Sequence, residues 1–193
     1  MILMGKILSI RGCLIKGKRY MTMDETREIL EVFDSRNRLI GRATRGSIHR
    51  WGLRHRAVHV FVLDLAGSLY LQLRQAHKDR FPRHWDSSAA GHVSPGESYS
   101  AAARRELEEE LGIREEVYRL AEVAASSQTG WEHVVLFHCR TQAALRPNPE
   151  EIEAGAFFTL GEIDRMLADP QWPFTPAFRG LYHLWRTREH PFL

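Results

Sequence analysis

The chain has almost no cysteine. Its 193 residues include two, Cys13 and Cys139, and neither stands in a C-x-x-C spacing. A disulfide-stapled secreted scaffold and a cysteine-built zinc site are therefore excluded. Two distant thiols without a secretory signal are expected to stay reduced in the cytoplasm. Long apolar runs are also missing, since nothing approaches the roughly 18 residues of a membrane-crossing helix. The apolar opening "MILMGKILSIRGCLIKGKRYM" is interrupted by Lys6 and Arg11. Charge of one sign is scarce: 27 Lys and Arg against 24 Asp and Glu leave a formal net charge of +3. There is no basic tract, so neither a nucleic-acid polymer nor a membrane is an expected partner. Internal repeats and low-complexity linkers are absent.

What is present suits one globular domain. Hydrophobic residues make up 44% and charged residues 26%, enough for a single full core at this length. Residues 1–26 are expected to be an N-terminal extension, partly disordered, and residues 27–193 the folded domain. Met21 or Met23 could be the natural start, and the extension could serve a homodimer.

Residues 29–46 read as a hairpin around Asp34 to Asn37. Residues 56–75 read as a strand pair with turn chemistry at Ala66-Gly67-Ser68. Helices are expected over 98–111, 161–170 and 175–189, the last with Thr175 as N-cap and Pro176 in its first turn. Residues 133–142 and 155–160 read as strands. The fold class is α+β, with helices layered on a sheet.

The chemistry concentrates in "GHVSPGESYSAAARRELEEELGI", residues 91–113. Glu97 opens the expected helix, where an acid suits the unpaired N–H groups. Glu106, Glu109 and Glu110 stand at i, i+3 and i+4 and so share one face. Like charges at this spacing repel, and Arg104 and Arg105 are expected to lie off that face. A divalent cation with a taste for oxygen ligands is one partner for such a face; open solvent is the other reading. Gly91, Pro95 and Gly96 form a tight loop ahead of the helix, which lets backbone approach a ligand.

These residues resemble the Nudix box, G-x5-E-x7-R-E-U-x-E-E-x-G-U, with U aliphatic. Gly91, Glu97, Arg105, Glu106, Leu107, Glu109, Glu110, Gly112 and Ile113 fill every specified position. The resemblance implies an α/β/α sandwich with a mixed sheet and a loop–helix–loop box. It implies hydrolysis of a diphosphate attached to another group, using Mg2+ or Mn2+. It makes Glu106, Glu109 and Glu110 metal ligands, one of them doubling as general base, with the Gly91 carbonyl joining them. Glu97 and Arg105 become a pair that orients the helix carboxylates, with Gly96 and Gly112 shaping the ends.

The upstream half is similar to isopentenyl-diphosphate isomerase, a Nudix relative, over roughly residues 45–140. By that similarity His55 and His92 match metal-ligating histidines, His49 stands near the third, and Glu132 near a strand glutamate of the same site. Arg74 and Lys78 match a basic pair, expected in a loop, that grips the substrate's diphosphate. The departures count as much. The isomerase's catalytic cysteine position is Ala90 here, which offers no nucleophile, acid or base. A second strand glutamate falls at Gly130, and Arg83 replaces a glycine after Pro82. The expected function is thus a metal-dependent diphosphate hydrolase acting on a nucleoside diphosphate derivative or another small diphosphate. An isomerase is disfavoured by Ala90, and a non-catalytic nucleotide sensor by the complete box. Other conspicuous residues have plainer readings. Trp85 is expected to anchor packing, Trp131, Phe157 and Phe158 to belong to the core, His59 to be a surface or core residue, and Glu150, Glu151 and Glu153 to lie in a solvated loop.

Overall fold

The computed structural model describes residues 28–187. The expected extension over 1–26 and Cys13 lie outside that range. The chain opens with a hairpin, β1 (Ile29–Phe33) and β2 (Leu39–Thr44), then a short helix α1 (Arg45–Trp51). Thr44 caps α1 by accepting from Ser47 N. A seven-stranded mixed sheet follows: β3 (His55–Leu63), β4 (Leu69–Arg74), β5 (Trp85–Asp86), β6 (Ala89–His92), β7 (Tyr118–Val123), β8 (Glu132–Arg140) and β9 (Ile152–Phe158). Helices α2 (Tyr99–Leu111), α3 (Leu160–Ala168) and α4 (Pro176–Thr187) complete it, with a 3-10 turn over Ser127–Thr129.

β3 is central, and it runs parallel to β8 from His55↔Glu132 to Leu63↔Arg140. Its sequence, HRAVHVFVL, is apolar almost throughout because both faces are covered. Ala57, Phe61 and Leu63 join one core with Ile163, Met166, Phe178, Leu181 and Trp185 of α3 and α4. Val58, Val60 and Val62 join a second core with Ala102, Ala103, Leu107 and Leu111 of α2. Helices on both faces of a mixed sheet make the expected α/β/α sandwich. Trp85 is buried in the first core, as its packing role requires. Phe158 is buried there too, with Phe157 packed at the edge of the second core. Trp131 departs from its reading: it precedes β8 at φ 69°, is 38% exposed, and covers Gly52.

The strand pair expected over 56–75 exists only at its turn. β3 and β4 meet at Leu63↔Leu69 and then separate. β6 pairs along the rest of β3, from Val60↔Ala89 to Ala57↔His92, while β5 pairs with β4. The segment "WDSSAAGH" therefore crosses from one strand to the other. Ser88 bridges the crossing by accepting from Val62 N at 2.8 Å and donating to the Tyr70 carbonyl at 2.6 Å. This satisfies two backbone groups that the divergence would orphan. Strand alternation was illegible here because β5 has two residues and β6 four. β7 and α1 were not anticipated either; Ala121 is the one buried residue of β7, so that strand carries little apolar alternation.

Between β4 and β5 the chain carries two non-glycine residues in the left-handed region, Phe81 at φ 49° and Arg83 at φ 54°. This conformation costs about 1–2 kcal/mol for a residue with a Cβ. Arg83 points outward and its Nε donates to Glu153 Oε2 at 3.1 Å, an exposed pair of small value. Arg83→Gly is therefore expected to raise stability by about 0.5 kcal/mol in urea unfolding, after glycine's larger unfolded-state entropy is deducted.

Candidate active site

The box helix is α2, and its start differs from expectation. Ser98 is the N-cap, accepting from Ala101 N at 3.2 Å, so Glu97 lies outside the helix. A hydroxyl caps better, which leaves the Glu97 carboxylate free for other partners. It accepts from Arg105 Nε at 3.0 Å, from Arg105 Nη2 at 3.0 Å and from Ser94 N at 2.9 Å. Burial alone would raise its pKa, yet these bonds hold it below the usual carboxylate value. Gly112, at φ 65°, closes the helix by donating its N–H back to Glu108. Gly96 turns the loop ahead of it at φ 77°.

Arg105 does not lie off the acidic face. Its Nη1 donates to Glu106 Oε1 at 2.6 Å and to Glu109 Oε2 at 3.0 Å, and Nη2 reaches the His92 carbonyl at 2.9 Å. The long guanidinium folds back over the face that helical angle alone would deny it. One side chain thus ties the loop, β6 and two carboxylates together.

The three glutamates are not equivalent. Glu106 and Glu110 are buried, whereas Glu109 has a 56% exposed side chain. Burial pushes the Glu106 carboxyl up to about 7 against the opposing pull of Arg105, with Glu109 and Glu151 adding to the rise. Glu110 is raised well above the normal range by burial and then by Glu106 and Glu151. Its Oε2 accepts only neutral donors, Gln72 Nε2 at 2.8 Å and Ala90 N at 3.4 Å. Two adjoining buried carboxylates with one guanidinium between them are short of positive charge, and this donor set fits a hard divalent cation. Gly91 presses on the pair so closely that a Cβ there would lie 1.9 Å from Glu106 Oε1.

A cavity of about 480 Å3 opens beside the pair. Gly91, His92, His49, Glu132, Arg74, Lys78, Glu106, Glu109 and Glu110 all line it, so most of the expected site residues converge there. Arg74 is the last residue of β4 rather than part of a loop. Its Nη1 reaches Asp86 Oδ2 at 3.5 Å, its Nη2 donates to the Arg80 carbonyl at 3.4 Å, and its buried Nε has no partner. Lys78 pairs with Glu151, which corrects the solvated reading of that glutamate: the loop folds inward over the cavity.

The histidines gather at the other end. His49, His55 and His92 place ligand atoms within 4.8 Å of one another. His55 Nδ1 donates to the Leu53 carbonyl at 3.0 Å, which leaves the buried Nε2 directed toward Glu132 without a hydrogen bond of normal length. His49 Nε2 is likewise buried and unpartnered. Glu132 Oε1 lies 3.5 Å from His55 Nε2 and 3.9 Å from His92 Nε2. Burial, then His92 and His55, push the His49 ring down to about 4. Burial opposes ionisation of Glu132, but His55 and His92 outweigh it and hold the carboxyl at about 2. Three imidazoles with a carboxylate are a donor set that fits a divalent metal. Gly130, where the isomerase similarity implies a further glutamate, instead gives room to the Arg80 guanidinium.

Sequence reasoning missed Gln72, Arg80 and the buried set His59, Ser87 and Asp86; Gln72, His59 and Asp86 are brought in by strand pairing, Arg80 and Ser87 by the segments that connect those strands. Cys139 is buried in the second core, and burial pushes its thiol to about 12, so it is chemically inert. Among the described residues no helix is long and apolar enough to cross a membrane.

A mixed sheet between helices, with a glycine-tight loop leading into a carboxylate-bearing helix, defines a class of acid-anhydride hydrolase. The chain belongs to the Nudix family: the NUDIX domain matches residues 53–178. It is 33% identical over 177 residues to a Nudix hydrolase of Streptomyces coelicolor, spanning 88% of this chain and 96% of the relative. It is 34% identical over 156 residues to an isopentenyl-diphosphate delta-isomerase of Nocardia farcinica, spanning 76% of this chain and 88% of that one. The crystal structure of DR0079 from Deinococcus radiodurans matches with a TM-score of 0.71 and 27% identity, over 82% of this chain and 98% of the other. The protein is a Nudix hydrolase, of a family that generally acts on nucleoside diphosphate derivatives with divalent metal ions.

Proposed function

We propose that the enzyme cleaves the diphosphate bond of a nucleoside diphosphate derivative, or a similar small diphosphate, with Mg2+ or Mn2+ held by Glu106, Glu109, Glu110 and the Gly91 carbonyl. One observation carries this: the buried carboxylates Glu106 and Glu110 share a cavity with the cations Arg74 and Lys78. The divalent ion, when bound, neutralises phosphate charge and lowers the pKa of water. The chain does the rest. Arg74, loosely bonded and with an idle Nε, offers a planar donor set to phosphate oxygens. Lys78 exchanges Glu151 for phosphate, and the freed Glu151 becomes a proton acceptor beside Glu106. Arg105 keeps Glu97, Glu106 and Glu109 in fixed orientation.

His49, His55, His92 and Glu132 are assigned a second divalent ion that ties α1, β3, β6 and β8 together. Metal analysis of the purified protein tests this separately. Glu110→Gln is expected to keep the histidine-held ion, while His55→Ala loses it. An unchanged metal content in His55→Ala would overturn the assignment.

The function itself is tested by a screen of nucleoside di- and triphosphates, sugar nucleotides, dinucleotides, coenzyme A and prenyl diphosphates with each metal. Phosphorus NMR in 18O-water identifies the phosphorus attacked. Metal-dependent hydrolysis of at least one nucleotide is expected, and no turnover anywhere in the panel would sink the reading. Isopentenyl diphosphate is expected to exchange no carbon-bound hydrogen, because Ala90 contributes only a methyl group; isomerised product would reverse that conclusion.

A further inference from the structure

His59 has no part in the roles above. It sits in the middle of β3, is 5% exposed, and lines the cavity. Its cross-strand partners are Ala90 on β6 and Leu136 on β8, so these side chains share one face of the sheet and the imidazole has only apolar neighbours across the strands. Ala57 and Phe61 on that same face belong to the core with α4, whose first turn contributes Pro176 and Ala177 to the cavity wall. Gly91, one residue on from Ala90, turns to the opposite face and meets Glu106. His59 therefore looks into the part of the cavity away from the box carboxylates.

The ring's tautomer follows from its neighbours. Nδ1 lies 2.8 Å from Ser87 Oγ, and Ser87 is fully buried. Nδ1 is the hydroxyl's one hydrogen-bond partner among the described residues. A buried hydroxyl must place its proton on an acceptor. Ser87 Oγ therefore donates to Nδ1, and the neutral ring carries its own proton on Nε2. Asp86 Oδ1 lies 3.9 Å from Nδ1, beyond hydrogen-bond reach. That oxygen already accepts from Ser87 N at 2.8 Å and Thr175 Oγ1 at 2.9 Å. A second proton on the ring would sit on Nδ1 and leave Nε2–H in place. His59 is thus a donor toward the cavity in both charge states, and no described residue accepts from its Nε2.

Arg74, Lys78 and Arg80 in the cavity wall are donors, and the Asp86 oxygens accept from Ser87, Thr175 and Arg74. Glu132, a further carboxylate that His59 influences, lies against His55 and His92 at the histidine end. Resting on the hydrolase reading, we infer that His59 Nε2–H hydrogen-bonds an acceptor oxygen of the group attached to the substrate's diphosphate. The enzyme accordingly takes an oxygen-rich, nucleoside-type group there and rejects a hydrocarbon chain, which would bury this donor unpaired.

Two measurements test this independently. Long-range 1H–15N spectra of the metal-free protein report the tautomer directly. Nε2–H with Nδ1 as acceptor is expected, and an Nδ1–H tautomer would overturn the inference whatever the activity. The second is kcat/KM for ADP and CDP against isopentenyl and geranyl diphosphates. The wild type is expected to favour the nucleotides by more than about 10²-fold, carried mainly by KM. His59→Leu is expected to reduce that preference to within about 10-fold, while His59→Gln, which keeps a donor, retains most of it. Ser87→Ala lies beyond the substrate's reach, frees the ring to change tautomer, and is expected to raise nucleotide KM about 10-fold with kcat held. Should His59→Leu fail to fold, the other two variants decide the matter through KM. An unaltered preference in every variant refutes the role of His59. A wild type that hydrolyses nothing refutes the hydrolase reading, with the tautomer result still standing by itself.

Discussion

Glu110→Gln is expected to lower metal-dependent turnover by at least about 10³-fold while leaving the metal-free protein as stable as the wild type or more so. The two effects share a cause. Glu110 is buried next to Glu106 and accepts only from Gln72 and Ala90, and burial with Glu106 and Glu151 outweighs the pull of Lys78, so its charged form is disfavoured until a cation arrives. Glutamine keeps the volume and an acceptor for the Gln72 amide but cannot neutralise a divalent ion. Glu109→Gln is expected to impair turnover without the stability gain, because Glu109 is exposed. Full turnover in both variants would sink the metal assignment.

The same carboxylates set a pH dependence in EDTA. Glu106 titrates near 7 in the folded protein against a normal value of 4.5. The folded state therefore binds more protons than the unfolded state between these values, and stability falls as pH rises. The contribution is complete below the unfolded pKa and is lost as pH climbs through about 7. Thermal or urea unfolding should show a loss on the order of 3 kcal/mol across that window. Saturating Mg2+ or Mn2+ should flatten it by binding only the folded state. A flat profile without metal would contradict the burial of this charge.

The second large effect is expected from one added methyl group. In Gly91→Ala the new Cβ would lie 1.9 Å from Oε1 and 2.2 Å from Cδ of Glu106. Either β6 moves or the carboxylate leaves its place beside Arg105. Each costs stability, by about 2–3 kcal/mol for overpacking of a tight interior, and each displaces a metal ligand, for about 10²-fold or more in kcat/KM. A Gly91→Ala, Glu106→Ala double variant separates these. It should recover stability, since the clash is gone, but not activity, giving a clear coupling energy between the two sites. Wild-type kcat/KM in Gly91→Ala would show that Glu106 need not stay where it is.

Much of the box was legible because its logic is local. Gly112 and the i, i+3, i+4 spacing act within one helix, so α2 and its carboxylates follow from short-range geometry, although its cap, Ser98, was not read and the start was put at Glu97. The position of Arg105 did not, because helical angle ignores the reach of a long side chain. Arg74 and Lys78 were found by resemblance, but their setting was not: β4 runs on to include Arg74, and Glu151 arrives from a loop 73 residues beyond Lys78. Nothing in the sequence pointed to a role for the Ser87 and Ser88 pair. Its role appears only once β3 and β4 separate and leave backbone groups to be satisfied.

By itself, then, the sequence determined the three longer helices and the carboxylates of the box, which depend on residue type and spacing within a few residues. The missing nucleophile at Ala90 was read from resemblance to the isomerase. Tertiary structure alone decided which glutamates are buried, that the Arg105 guanidinium folds over the acidic face, and that Ser87 meets His59 Nδ1. Burial and long-range hydrogen bonding set charge and tautomer, and both come from strands that pair far apart along the chain.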